Sequence, residues 1–158
     1  MTKLKSKFGL NIDKIRTREF EYHGQKFKVR VPLSKEAEEI YRRADNPSEE
    51  AINTRYDEIS KEFIKKRKEL EDSDGAIKFT DNDIVVGETS LRELARTQVA
   101  GEIRIVESFK LLIPTDGTDL GDITYDEINE EFPLPIQLTL VKMITEVISP
   151  NYEEVRKN

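Results

Sequence analysis

The sequence predicts an α+β fold, helix-dominated, in which two short β-hairpins pack with about five helices. Three observations predict it. Apolar and charged residues alternate at period two on both sides of His23-Gly24. Further on, apolar residues recur at spacings of three and four, the period of a helix face. Where the period changes, Pro, Gly or a Ser/Thr-x-x-Glu pattern punctuates the chain.

Residues 1–17 carry Leu4, Phe8, Ile12 and Ile15 among lysines, interrupted by Gly9. The spacing is loosely helical but short and uncapped, so an arm, flexible or ordered by a partner, is expected there. The first hairpin follows. Phe20 and Tyr22 alternate with Glu19 and Glu21, and Phe27, Val29 and Val31 with Lys26, Lys28 and Arg30. Glycine in the His23-Gly24 turn supplies the positive φ such turns need. One face is apolar and the other charged, and Glu19 and Glu21 are expected to pair across to Lys28 or Arg30.

Ser34 is the expected N-cap of a short helix bearing Ala37, Ile40, Tyr41 and Ala44. Asn46-Pro47-Ser48-Glu49 restarts the chain, with Asn46 as a cap and Pro47 at the first helical position. The next helix carries the stripe Ile52, Tyr56, Ile59, Phe63 and Leu70, narrow enough to suit one neighbour. Asp72–Gly75 reads as a turn, and residues 76–80 and 83–86 as a second hairpin through Asp81-Asn82. Ser90 and Glu93 form a capping-box pattern that opens a long apolar helix running to Ile113, stopped by Pro114. Gly101 inside it implies close packing against a neighbour. Thr124 and Glu127 repeat the box before a short helix, and a last helix from Ile136 carries Leu140, Met143 and Val147.

These elements fit a single α+β domain over residues 18–150, with the arm before it and a polar tail over 151–158. No apolar run reaches the roughly 18–20 residues of a membrane span, and the basic start lacks the apolar stretch of a secretory signal. With no cysteine in the chain, disulfides and thiolate metal sites are excluded, and a cytoplasmic location is the expectation. The net charge of −6 argues against general nucleic-acid binding. That average hides an asymmetry: residues 1–33 hold nine Lys/Arg against three Asp/Glu, and the rest 17 against 29. A basic leading segment on an acidic body suits an acidic partner, including another copy of the chain.

Chemistry-bearing patterns are few. The single histidine, His23, falls at a turn; no serine sits in Gly-x-Ser-x-Gly; the seven glycines are scattered. Asp116 to Glu127 has the length of a calcium loop, with Gly121 and Glu127 in place. Thr118 and Leu120, however, stand where oxygen ligands belong, so a structural loop is expected. Lys65 to Lys68, interleaved with glutamates, reads as a solvated face. No catalytic residue, metal or cofactor is expected. A hydrolase built on surface carboxylates is the weakest of the alternatives.

In the order of its elements the chain resembles the tail assembly chaperones of long-tailed, siphovirus-type bacteriophages. The resemblance rests on the hairpin Phe20 to Pro32, the charged helices, and Phe132-Pro133-Leu134-Pro135-Ile136-Gln137 leading into the closing helix. It implies a non-enzymatic chaperone that binds the tape-measure protein, with tail-tube subunits as further partners, and that self-associates. Many members of that family also exist as a longer frameshift product. For such a role the expected protein-binding residues are Ile52, Tyr56, Ile59, Phe63, Leu140, Met143 and Val147, with Lys26, Lys28 and Arg30 on the hairpin. The alternative is a small adaptor or regulatory module whose basic hairpin binds an acidic protein or nucleic acid.

Overall fold

The computed structural model describes residues 4–72 and 75–150. The expected polar tail, the first three residues of the expected arm and the Ser73-Asp74 part of the expected turn lie outside them. In chain order the elements are α1 (Leu4–Lys7), α2 (Ile12–Ile15), β1 (Thr17–Tyr22), β2 (Gln25–Arg30), α3 (Ser34–Asp45), α4 (Glu49–Lys65) and α5 (Arg67–Glu71). There follow β3 (Ile77–Phe79), β4 (Ile84–Val86), β5 (Thr89–Ser90), α6 (Leu91–Phe109), β6 (Leu112–Ile113), α7 (Tyr125–Glu131) and α8 (Leu134–Ile148). The fold is α+β. Each expected hairpin gains a third strand, giving antiparallel sheets ordered β1-β2-β6 and β3-β4-β5. The chain divides into two compact units: the described residues of Met1–Ile40 with Arg104–Asn158, and Tyr41–Ile103. The boundaries fall within α3 and α6.

In the first unit, His23 and Gly24 both have positive φ, +49° and +76°. This is the two-residue turn whose twist matches that of the flanking strands. It sets Phe20 opposite Phe27 and Arg18 opposite Val29. The two phenyl rings stack at 5.1 Å, and Val29 is wholly buried. Below them lies the core of Ile105, Phe109, Leu111, Ile128, Leu140, Ile144 and Val147. The Arg18 guanidinium donates to the carbonyls of Val147 (2.5 Å) and Ser149 (2.9 Å). It thereby satisfies the last acceptors of α8, which have no partner within their own helix.

Helix α6 ends at Phe109, four residues before the expected stop. Leu111 N–H bonds to the Ser108 carbonyl, and Leu112-Ile113 then pair with Val29 and Lys28 of β2. Apolar spacing continued through Ile113, but an open strand edge next to the core offered those residues backbone partners that another helical turn could not reach. The Thr124/Glu127 capping box forms in full. Thr124 N–H donates to Glu127 Oε2 at 2.7 Å, and Glu127 N–H to Thr124 Oγ1 at 3.3 Å. Helix α8 starts at Leu134, two residues before the expected start, with Pro135 in its first turn, where a missing N–H costs nothing. Buried Gln137 closes the α7–α8 corner by donating to the Phe132 carbonyl at 2.6 Å.

In the second unit, Ile52, Ile84, Leu91, Ala95 and Val99 are buried. The cap of α4 is Ser48, whose Oγ accepts from Ala51 N–H at 3.2 Å. Asn46 instead closes α3 by donating to the Arg42 carbonyl, and Pro47 precedes the cap. Ser34 lies inside the first turn of α3 and does not cap it. The expected helix through Leu70 breaks at Lys66 into α4 and α5.

The expected Ser90/Glu93 box is half made. Ser90 Oγ accepts from Glu93 N–H at 3.1 Å, and the Ser90 hydroxyl donates to Asp83, while the return bond from Ser90 N–H to the Glu93 side chain is not made. Asp83 also accepts from the N–H groups of Ile84 (2.8 Å) and Arg92 (3.0 Å), so the β3–β4 turn caps α6. Arg92 returns the link. Its guanidinium donates to the Asn82 carbonyl and Asn53 Oδ1, and stacks on Tyr56 at 4.4 Å. Arg55 joins α4 to α6 through a two-pronged bond to Glu102, at 2.7 and 3.1 Å.

Gly101 corrects a sequence expectation: a Cβ built there meets nothing within 4 Å. Gly101→Ala is therefore expected to raise stability by about 0.5–1 kcal/mol, read as a higher urea midpoint at unchanged slope. His23→Val, forcing a β-branched residue into the left-handed region, is expected to cost about 1–2 kcal/mol in the same assay.

Candidate protein-binding surfaces

The outer face of the first sheet is set by the same register: Glu19 opposes Lys28, and Glu21 opposes Lys26. Both lysines are exposed. Arg30, expected to reach Glu19 or Glu21, instead holds Glu36 of α3 with two bonds of 2.8 and 2.6 Å, and Arg16 adds a contact at 3.6 Å. The hydrogen bond from Arg30 lowers the Glu36 pKa, against burial and with help from the charges of Arg30 and Arg16; the same bond raises that of Arg30. Charges alternate in sign across this face, so the hairpin carries no uniformly basic patch.

Helix α8 has two apolar sides. Leu140 and Val147 are buried in the core, and Met143 is half-buried beside them. Leu134 and Leu138 form an outward line, 50% and 54% exposed, while half-buried Val141 packs against the core. In the sequence Leu138 and Val141 stand beside the inward stripe, and Leu134 belongs to the Pro133-Leu134-Pro135 break before it. The spacing of four between Leu134 and Leu138 is the signal that they share a face.

The N-terminal segment presents Phe8, 71% exposed, and Leu10, 48% exposed. It is anchored where α2 meets the sheet. Asn11 caps α2 through Lys14 N–H at 3.1 Å, and Thr17 Oγ1 donates to the Asp13 carbonyl at 2.7 Å. Arg16 and Val31 exchange bonds through the Val31 N–H and the Arg16 Nε.

Between α7, the loop before it and the end of α6 lies a cavity of about 600 Å³. Its apolar part includes Phe109, Leu112, Ile123 and Phe132, and its polar part includes Asp119, Asp122, Glu130 and Glu131. The calcium-like loop contributes carboxylates that already have local duties. Asp116 accepts from the Thr118 hydroxyl and N–H, and those bonds hold its pKa below the usual value. The Thr124 N–H and hydroxyl do the same for Glu127. Among the described residues no group of three or more His, Cys, Asp or Glu is placed to hold a metal ion.

In the second unit the α4 stripe turns largely inward. Ile52 is fully buried, and Tyr56, Ile59 and Phe63 are half-buried. Burial, helped by the charge of Asp83, pushes the Tyr56 hydroxyl pKa up. His23 is exposed at its turn.

No family model matches the chain, and neither the curated proteins nor the solved structures yield a match. Among the described residues no helix is long and apolar enough to cross a membrane.

Every carboxylate with a displaced pKa is thus held by a cap, a turn or an ion pair. For Asp83 burial pushes the value up, but the bonds from Ser90, Arg92 and Ile84 and the Arg92 charge outweigh it, leaving the group below its ordinary 3.8. A carboxylate depressed on folding stabilises the fold above its unfolded pKa, and that contribution drains away as pH falls through the folded value. Asp83→Ala is therefore expected to cost about 1 kcal/mol at neutral pH. The gap to wild type should shrink below pH 3.8, followed by urea unfolding at several pH values; a gap independent of pH would contradict the assignment.

Proposed function

We propose that the protein works by binding, without catalysis, as an assembly chaperone that covers an apolar helical client. The observation that carries this reading is the outward line of Leu134 and Leu138 on α8. A helix apolar on both sides belongs in an interior. One side of α8 has its interior; the other needs a second chain. Exposed Lys142 and Glu146 beside the line supply a charged margin that keeps the uncovered protein in solution.

The resemblance to tail assembly chaperones supplies the client: the tape-measure protein, with tail-tube subunits as further partners, in the cytoplasm of the infected host. A helix laid along α8 is the mode such a line supports, its anchors spaced like those of the line itself. The roles of the other expected binding residues divide accordingly. Leu140 and Val147 act as core of the first unit and Ile52 as core of the second, whereas Lys26 and Lys28 stand exposed on the outer face of the hairpin. The alternating charges of the hairpin give the adaptor reading no comparable support.

The test is co-expression with the tape-measure protein followed by co-purification. Leu138→Asp is expected to leave unfolding unchanged and to reduce capture by about tenfold or more, the cost of losing a central apolar anchor. Leu140→Asp, by contrast, should unfold the first unit. Capture by wild type should persist in high salt, because it rests on apolar area. Equal capture by wild type and Leu138→Asp would remove α8 from the interface, and no capture by wild type would remove the client.

A further inference from the structure

The N-terminal segment and the cavity beside α7 are complementary in shape class and in charge, and both belong to the first unit. We propose that the cavity receives the N-terminal segment of a second copy of this chain, with Phe8 and Leu10 as its anchors. This inference is independent of the client.

The cavity, at about 600 Å³, is within the roughly 300–1,000 Å³ range of pockets that hold compact ligands. Half-buried Phe132, backed edge to face at 5.5 Å by buried Phe109, offers an aromatic surface on which another ring can pack. Its lining includes Asp119, Asp122, Glu130 and Glu131 and no lysine or arginine. Glu127 serves the capping box and Asp119 accepts from Gly121 N–H, whereas Asp122, Glu130 and Glu131 are exposed. The site therefore asks for an apolar group flanked by cations.

The first ten residues answer that description. They contain no acidic residue, and exposed Lys7 stands directly before Phe8-Gly9-Leu10. Phe8 and Leu10 are largely in solvent, separated by Gly9 at φ +62°, a value that turns the backbone and lets both side chains project from one bend. The hydrogen bonds of Arg16 and Thr17 fix the base of the segment and leave its apolar tip free to engage another molecule. An aromatic anchor at the centre with paired charges around it is the arrangement in which apolar burial supplies affinity and charge supplies partner choice.

The absence of cysteine makes a direct test clean. The full chain carrying Leu10→Cys and Glu131→Cys is oxidised and its products are sized. The expected product is a disulfide-linked dimer or larger species. A cross-linked monomer, reporting a segment folded into its own cavity, overturns the proposal, as does failure to cross-link. Alongside this, sedimentation of the unmodified chain should show concentration-dependent association that Phe8→Ala weakens by about tenfold or more. Lys7→Glu and Glu130→Lys should each weaken it by severalfold, and together restore most of the loss. All these side chains are exposed, so the variants keep the fold, which urea unfolding verifies. Association unchanged by Phe8→Ala, or charge reversals that add and do not compensate, would overturn the assignment.

Discussion

The register of the first hairpin is the constraint on which the first unit depends. Side chains on a strand alternate with a period of two, so a slip of one residue would exchange its faces. The His23-Gly24 turn, with two left-handed residues, allows one pairing, Tyr22 opposite Gln25, and every other pair follows. With that pairing Phe20, Phe27 and Val29 share the inner face with Arg18, which reaches the end of α8. The lysines and glutamates are left on the outer face, and the edge of β2 is presented to Leu112 and Ile113. Core, helix cap and third strand are therefore consequences of two backbone angles.

Helix α8 then links stability to the proposed activity. Its inward residues Leu140, Ile144 and Val147 are among the most buried in the chain, while Leu134 and Leu138 stand in solvent a turn or so away. A surface carried on such an element is rigid before a partner arrives, which lowers the ordering cost of association. The acid-rimmed cavity and the basic N-terminal segment differ from that line in chemistry, although the cavity's Phe132 stands only two residues before Leu134. The proposed client capture and the proposed self-association thus draw on different residues of one unit.

Much of the fold was legible because its signals are local. Alternation around His23-Gly24, the Thr124/Glu127 box and the inward stripe of the last helix each occupy a dozen residues or fewer, and each appears as read. What escaped depends on distant partners. Leu112 and Ile113 continue a helical spacing and become a strand only because β2 lies alongside. Asp83 looks like an ordinary turn residue until the return through β5 brings the start of α6 onto it. Arg18 bonds to carbonyls 129 and 131 residues away, which no pattern around it could announce. The candidate surfaces were half legible. The apolar positions of α4 and α8 were found, but periodicity ranks the most regular stripe first, and that stripe is the one a folded chain keeps for itself.

The Arg18 clasp has a consequence for behaviour in acid. Its acceptors here are peptide carbonyls, which do not titrate. Those two bonds to the closing helix are therefore indifferent to the protonation of any carboxylate. The joint that seats α6 on the β3–β4 turn is not, because it hangs on the carboxylate of Asp83. Acidification should accordingly loosen the seat of α6 on that turn while leaving the carbonyl acceptors of Arg18 unchanged.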